Sequence, residues 1–246
     1  MAEELSSLWL LRHGQSLGNV ANDAARVAGL ERLDMADRDM DVPLSDLGIE
    51  QATAFGTWLG AQPRDQWPDA VVSSPYRRAM DTARHVLAAA GLDVEVVPDE
   101  RLREREFGIL DLLTHRGVVA AFPDEAHRRD RLGKFYYRPP GGESWVDVAL
   151  RLRSLRDSLV REYADQRVLV VAHEVVILIT RYLIERLDEQ GALALSQAGH
   201  VANCSLTSYE RGSDGRLHLE LDAWVAPLEA RRAPITDEPD APVASR

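Results

Sequence analysis

The chain has 246 residues, of which 45% are hydrophobic and 28% are charged, and its formal net charge is −11. This length and apolar content suffice for one α/β domain with a sizeable core, whereas the acidic charge argues against a nucleic-acid partner. No apolar run approaches the ~18 residues of a membrane span, so no membrane partner is expected. Cys204 is the single cysteine, which excludes an intrachain disulfide, and the acidic N-terminus lacks the pattern of a signal peptide. We therefore expect a cytoplasmic protein.

The first predicted element is a buried strand over residues 8–11, which ends at the tripeptide Arg-His-Gly of residues 12–14. A helix over 16–28 follows. Gly14 allows the backbone to turn tightly and to approach a ligand, and the start of the helix is a place where α/β proteins bind anions. We interpret His13 as a nucleophile that accepts a phosphoryl group.

Residues 29–44 are irregular and charged, and we favour a solvated loop over a binding role for them. The next helix opens at Ser45, which is a favourable cap. A short apolar strand at 70–73 leads into another helix, whose first turn carries Arg77 and Arg78. Cations there oppose the helix dipole, and that unfavourable position favours a functional role.

A third strand is predicted at 94–97. Residues 99–143 then show weak periodicity and many charges, and we interpret them as a substrate-facing lid rather than a second domain. A helix over 144–162 leads to the most apolar strand of the chain, residues 168–172, which ends at His173.

A helix over 176–187 and two strands, 203–209 and 217–224, complete the pattern. Strands that alternate with helices predict a mostly parallel central sheet with helices on both faces. From Pro227 onward the chain is rich in Pro, Ala, Asp and Glu, which is typical of disorder. We therefore expect a single domain over 1–226 and a disordered tail over 227–246.

Three predicted strands end in residues suited to phosphate chemistry, at His13, at 73–78 and at His173. The carboxyl ends of parallel strands meet at one edge of a sheet, so these groups can converge there. Arginine binds phosphoryl oxygens through planar, permanently charged donors, and Arg12 and Arg78 are the candidates.

The leaving alkoxide needs a proton, and either Glu104 or Glu106 could supply it. Partial burial would raise the pKa of such a carboxyl toward neutrality, as an acid requires. A backbone carbonyl near Gly14 could hold the imidazole of His13 in one tautomer. Two arginines and two histidines can stabilise the charge of the phosphoryl group, so no metal and no other cofactor is expected.

These residues resemble the motifs of the histidine phosphatase superfamily, the phosphoglycerate mutase-like proteins. The similar segments are the opening motif 11–16 followed by Asn19, the second motif 73–79, the acid segment 104–108 and the segment 171–173. The resemblance covers roughly residues 7 to 210 and implies the three-layer α/β/α fold of that family. It also implies a set of catalytic residues, which are His13, Glu104, Arg12, Arg78 and His173. In this way it favours Arg78 over Arg77 and Glu104 over Glu106.

Residues 122–144 are similar to the fructose-2,6-bisphosphatase branch of the family, in which a basic pair contacts the second anionic group of the substrate. The substrate-binding residues predicted here are Ser16, Asn19, Arg105, Arg129, Lys134, Trp145 and Glu174. Glu174 and Leu178 stand where that branch has a glutamine and an arginine, which argues against fructose 2,6-bisphosphate as the substrate.

We therefore expect a metal-independent phosphomonoesterase that hydrolyses a small phosphorylated metabolite. Two alternatives stay open: phosphoryl transfer of the phosphoglycerate mutase type, and a non-catalytic module that binds phosphorylated ligands. The sequence does not fix the oligomeric state and allows a homo-oligomer.

Overall fold

The computed structural model describes residues 4–199 and 201–237. Its strands are β1 (Ser7–Arg12), β2 (Ala70–Ser73), β3 (Val96–Pro98), β4 (Arg167–Ala172), β5 (Leu206–Arg211) and β6 (Leu217–Trp224). Its helices are α1 (Leu17–Val27), α2 (Asp46–Gly60), α3 (Arg77–Ala90), α4 (His115–Ala121), α5 (Pro123–Tyr136), α6 (Trp145–Glu162), α7 (Glu174–Ile184), α8 (Glu189–Gln197) and α9 (Ala226–Arg231).

The strands form one six-stranded sheet in the order β3-β2-β4-β1-β5-β6. The first four strands of this order run parallel, and β5 and β6 are antiparallel additions at one edge. Strands β2 and β4 are almost completely buried, as expected for parallel strands that are covered on both faces. The predicted fold class, a mostly parallel sheet, is confirmed.

Helices cover both faces of the sheet because successive side chains of a strand point to opposite sides. Leu10 and Val170 pack into a core with the apolar side chains of α6 and α7. Leu11 and Val171 point the other way and pack with those of α2 and α3. The three-layer α/β/α arrangement is therefore confirmed.

Residues 99–143 form a partly helical segment beside the sheet. Helices α4 and α5 belong to it, and a small core of Leu110, Leu113, Val118 and Tyr137 holds it together. Helix α5 is interrupted at Gly133, whose φ of +76° lies in the left-handed region that glycine favours. That this segment acts as a lid stays a prediction.

The predicted disordered tail is wrong for residues 227–237. Helix α9 occupies its start, and Leu228 is completely buried against the core on the α2 side of the sheet. Residues 233–237, which we call the C-terminal strap, follow this helix, and Ala233 is also buried. Buried apolar side chains, together with hydrogen bonds of Pro234 and Thr236, attach this segment to the domain. The rest of the predicted tail, 238–246, lies outside the described residues.

The strand predicted at 203–209 begins only at Leu206. Cys204 has a φ of +52°, and the backbone of residues 202–205 turns instead of extending. Within the described part of the chain, no helix is long and apolar enough to cross a membrane.

Candidate active site

The register of the sheet brings the two candidate histidines together. Arg12 at the end of β1 pairs with Ala172 at the end of β4, so His13 and His173 are the next residues on two adjacent parallel strands. The N–H of His13 donates to the carbonyl of Ala172 at 3.0 Å. The centroids of the two imidazole rings lie 5.1 Å apart in an edge-on arrangement. The convergence predicted at this edge of the sheet is therefore present.

The imidazole of His13 is held by the carbonyl that follows it. Its Nδ1 lies 2.7 Å from the carbonyl oxygen of Gly14. Because a carbonyl oxygen only accepts, Nδ1 must carry the proton, and in the neutral ring the lone pair is then on Nε2. This is the tautomer that a nucleophilic histidine requires, and the carbonyl is the partner that the sequence suggested.

The loop that carries His13 packs backbone to backbone against the start of α2. A Cβ atom at Gly14 would lie 2.4 Å from the carbonyl oxygen of Gly48, and one at Gly48 would lie 2.0 Å from that of Gln15. Side chains at either position would therefore force the two segments apart. The N–H of Gly14 also donates to the hydroxyl of Thr82 at 3.0 Å, which ties the loop to α3.

The second histidine is oriented by a hydroxyl from the neighbouring strand. Nε2 of His173 lies 2.8 Å from Oγ of Ser74, which directly follows β2. The ring of Tyr76 packs edge-on against His173 with 5.3 Å between centroids. Sequence reasoning assigned no role to Ser74 or Tyr76, although both lie within the motif that it singled out.

Both predicted phosphate-binding arginines are buried close to these rings. Arg12 is completely buried, and its Nη1 donates to the carbonyl oxygen of Val201. Arg78 is 2% exposed, and its guanidinium lies over the ring of Tyr76 at 5.1 Å. A guanidinium that is removed from water in this way interacts more strongly with an anion.

The two candidate acids differ in burial. Glu104 is 2% exposed, and its Oε1 accepts a hydrogen bond from the N–H of Arg105 at 2.6 Å. Glu106 is exposed and accepts a hydrogen bond from the hydroxyl of Tyr76 at 2.9 Å. Burial raises the pKa of Tyr76 above its ordinary value, with a further contribution from Glu106, so this hydroxyl stays protonated as a donor.

A group of cations lies on the segment 99–143, at the positions predicted for substrate binding. Burial lowers the pKa of Arg105 to about 10 and, together with neighbouring cations, lowers that of Lys134. Burial also lowers the pKa of Arg129. The charge of Glu174, at the start of α7, acts in the opposite direction on Lys134. Glu104 and Glu143 also act on Arg105, and Asp130 acts on Arg129, so the three cations lie close together within a mixed group of charges.

Two predicted substrate contacts also have structural roles. The hydroxyl of Ser16 accepts from the N–H of Asn19 at 3.1 Å, and Oδ1 of Asn19 accepts from the N–H of Ser16 at 2.9 Å, which caps α1. Trp145 is 1% exposed, and Nζ of Lys134 lies 5.1 Å from its ring centroid. Lys134 also donates to the hydroxyl of Ser196 at 2.6 Å. Contact of Ser16, Asn19 and Trp145 with substrate stays a prediction.

The interpretation of residues 29–44 as a solvated loop is wrong at several positions, because Leu33, Val42 and Leu44 are buried and one charged residue enters the site. Asp39 reaches the site and forms an ion pair with Arg78, with 2.9 Å between Oδ1 and Nη1. The sequence contains no local signal for this contact, because the two residues lie on different elements and Asp39 is one of many charges in its loop. Only the folded structure shows which carboxylates lie within reach of a buried arginine.

Comparison with known proteins agrees with this geometry. A model of the histidine phosphatase superfamily (branch 1) matches residues 8–223. Glucosyl-3-phosphoglycerate phosphatase of Mycobacterium tuberculosis is 35% identical over 231 residues, which cover 89% of this chain and 94% of the relative. The 2,3-bisphosphoglycerate-dependent phosphoglycerate mutase 2 of Gloeobacter violaceus is 33% identical over 214 residues, with 86% and 88% covered.

A solved structure is similar as well. The mycobacterial glucosyl-3-phosphoglycerate phosphatase in complex with VO3 superposes with a TM-score of 0.68 at 34% identity, covering 89% of this chain and 98% of that one. The chain therefore belongs to the histidine phosphatase superfamily, as the motifs predicted. Within that class it is a phosphatase that acts on a phosphorylated metabolite. The narrower resemblance to the fructose-2,6-bisphosphatase branch stays a prediction.

Proposed function

We propose that the chain is a metal-independent phosphomonoesterase that works through a phosphohistidine on Nε2 of His13, with Glu104 as the proton donor. The observation that carries this proposal is the hydrogen bond of 2.7 Å between Nδ1 of His13 and the carbonyl of Gly14. It leaves Nε2 as the nucleophilic nitrogen beside His173 and close to buried cations.

In the first step, Nε2 attacks the phosphorus atom and the bond to the ester oxygen breaks. The guanidinium groups of Arg12 and Arg78 and the imidazole of His173 stabilise the charge on the equatorial oxygens. Glu104 gives its proton to the departing alkoxide, which leaves as a neutral alcohol. Burial of this carboxyl supports the assignment over Glu106, because an acid must hold its proton near neutral pH.

In the second step, a water molecule attacks the phosphohistidine. Glu104, now a carboxylate, takes a proton from that water. The bond between phosphorus and Nε2 breaks, and inorganic phosphate leaves. His13 returns to its neutral form with the proton on Nδ1, ready for the next substrate.

The cation cluster supports a substrate whose leaving alcohol carries an anionic group. The pKa of Lys134 is lowered by burial and by the neighbouring Arg129 and Arg105, so three cations lie close together, and a carboxylate on the substrate would interact favourably with them. The relatives named for glucosyl-3-phosphoglycerate fit this class, because a phosphoglycerate moiety carries both a phosphoryl and a carboxylate group. We propose a small phosphoester of this kind as the substrate.

Access to the site supports a moving cover. His13, His173 and Arg12 are completely buried, and Arg78 and Glu104 are each 2% exposed. For a substrate to reach them, a side chain or a chain segment that covers them must move. The segment 99–143 supplies the acid and the cation cluster, and we propose that it is the substrate-facing lid. We also propose a cytoplasmic location, which the single buried cysteine supports.

The test is release of phosphate, without added metal and in the presence of a chelator, from sugar phosphates, phosphoglycerates and their glycosylated forms, nucleotides and p-nitrophenyl phosphate. Hydrolysis that survives the chelator and disappears in His13→Ala supports the proposal. Loss of activity with the chelator, restored by a metal, overturns the metal-independent mechanism. A phosphoenzyme that forms but passes its phosphoryl group only to a second phosphoglycerate supports the mutase alternative, which the Gloeobacter relative favours.

A further inference from the structure

The C-terminal strap (residues 233–237) lies against the back of the loop that carries His13. Arg232 has a φ of +56° and turns the chain out of α9, after which Ala233 is buried and Thr236 is half-buried. The strap is held by two completely buried amide side chains, Gln51 of α2 and Asn203 of the turn before β5. These two amides are its connection to the site.

The hydroxyl of Thr236 bonds both amides at once. It accepts a hydrogen bond from Nε2 of Gln51 at 2.9 Å and donates one to Oδ1 of Asn203 at 3.0 Å. The backbone adds two further bonds: Nε2 of Gln51 donates to the carbonyl of Pro234 at 2.8 Å, and the N–H of Asn203 donates to the carbonyl of Thr236 at 2.8 Å.

The other end of each amide bonds the loop of the nucleophile. Oε1 of Gln51 accepts from the N–H of Gln15 at 2.9 Å, and Nδ2 of Asn203 donates to the carbonyl of His13 at 3.0 Å. An amide side chain has one accepting end and one donating end. The hydroxyl of Thr236 binds the NH2 group of Gln51 and the carbonyl oxygen of the Asn203 side chain. The carbonyl oxygen of the Gln51 side chain and the NH2 group of Asn203 are then left to bind Gln15 and His13.

This arrangement reaches the proposed nucleophile. The carbonyl of Gly14, which fixes the tautomer of His13, and the N–H of Gln15, which Gln51 anchors, belong to the same peptide group. If either amide rotates, a buried polar group of the loop loses its partner and the loop shifts to recover one. A small misplacement of a reacting group reduces the rate of the chemical step.

We propose that Thr236 is a positioning residue of the active site, which acts through Gln51 and Asn203 on the loop 13–15. The inference rests on the proposed function of His13. It assigns a role in catalysis to a segment that composition alone marks as dispensable. The strap lies behind the loop, so it acts on the rate of phosphorylation of His13 and leaves the binding of substrate unchanged.

The experiment compares Thr236→Val, which keeps the shape and removes the hydroxyl, with Thr236→Ser, which keeps the hydroxyl. We expect Thr236→Val to lower kcat for p-nitrophenyl phosphate by about tenfold or more with KM changed by less than about twofold, and Thr236→Ser to stay within about threefold of the wild type. Thr236 is half-buried near the end of the described chain, so both variants should fold; a thermal unfolding scan checks this. If Thr236→Val does not fold, Thr236→Ala replaces it.

The matched control is a chain that ends at Asp237. It lacks residues 238–246 but keeps the strap, and we expect wild-type kcat. A folded Thr236→Val with kcat within twofold of the wild type overturns the inference, as does a loss that Thr236→Ser shares in full. Failure of the proposed function has a different signature: the wild type itself would then form no phosphohistidine on His13, which acid-labile labelling of that residue detects.

Discussion

The carboxylate of Asp39 holds both terminal nitrogens of Arg78, with 2.9 Å from Oδ1 to Nη1 and 3.3 Å from Oδ2 to Nη2. The carbonyl of Asp39 accepts a further bond from Nη1 at 2.6 Å. A phosphoryl group would use the same N–H donors, because carboxylate and phosphate match the guanidinium in the same bidentate geometry. Asp39 therefore competes inside the protein with the anion that Arg78 is proposed to bind.

The first prediction is that Asp39→Asn increases the affinity of the site for inorganic phosphate. The amide keeps the size of the side chain but removes its charge. The side chain of Asp39 is 42% exposed, so solvent screens the pair, and the inhibition constant of phosphate should fall by about 2–5-fold. Product inhibition of hydrolysis measures it. The control is Asp41→Asn, which removes a surface partner of Arg38 and should change nothing. Weaker inhibition in Asp39→Asn would mean that Asp39 orients Arg78 instead.

The second prediction concerns the nucleophile. His13→Ala removes the nitrogen that is proposed to carry the phosphoryl group, so hydrolysis should fall below detection. The Nδ1 hydrogen bond of His13 is to the neighbouring residue and its ring packs edge-on against that of His173, so we expect the fold to persist in the variant. The assay is release of phosphate together with circular dichroism. Activity within tenfold of the wild type would contradict the mechanism.

The third prediction separates the two glutamates. Glu104→Gln cannot donate a proton, and turnover of substrates with poor leaving groups should fall by about 10²–10⁴. The loss should be smaller for p-nitrophenyl phosphate, whose leaving group departs without a proton. Glu106→Gln is the matched control, because this exposed residue accepts from Tyr76 and should affect both substrates to the same small extent. The reverse pattern would transfer the acid role to Glu106.

The fourth prediction is a pH dependence of substrate binding. The pKa of Lys134 is lowered by burial and by Arg129 and Arg105, so its ammonium loses its proton at a lower pH than an ordinary lysine. As the pH rises through that pKa the cation disappears, and KM should increase for a substrate with a second anionic group. KM for p-nitrophenyl phosphate, which lacks this group, should stay constant. Lys134→Arg keeps a positive charge at high pH, so it should remove the increase in KM. If the pH profile of KM were the same in this variant as in the wild type, Lys134 would not contact the substrate.

The fifth prediction tests whether α9 belongs to the folded domain. Leu228 is completely buried, so Leu228→Ala should lower the free energy of unfolding by about 2–5 kcal/mol. Ile235 is 47% exposed, and Ile235→Ala should change that free energy by less than about 0.5 kcal/mol. Denaturation in urea measures both. If Leu228→Ala changed the free energy of unfolding as little as Ile235→Ala does, the helix would contribute little to stability.

The sequence was sufficient for those parts of the fold that depend on local pattern. Strand β2 was placed over residues 70–73, and β1 and β4 within a residue or two, because buried apolar runs that end at Gly, Pro or a charged residue mark their own limits. His13 and His173 followed from this, since a residue after a parallel strand lies at the edge where ligands bind. The choice between Glu104 and Glu106 needed the family resemblance.

The features that the sequence did not predict depend on contacts between distant segments. Asp39 was one charge among several in its loop until α3 placed Arg78 beside it. The C-terminal strap has the composition of a disordered tail, and it is ordered by two amides that lie 33 and 185 residues away in the chain from Thr236. Secondary-structure propensity depends on the residues of one segment, whereas both of these contacts join segments that are distant in the chain.

The position of β1 in the sheet has a consequence for the order in which this protein is built. The strand that carries the nucleophile is synthesised well before its two neighbours in the sheet, β4 and β5, which lie far downstream in the chain. Until those strands emerge, β1 has no hydrogen-bonding partner in the sheet and His13 has no His173 beside it. Such distant pairings make folding slow. A nascent chain therefore carries the opening motif without an assembled site until β4 is made, and a product truncated before β4 would keep this motif while lacking the second histidine.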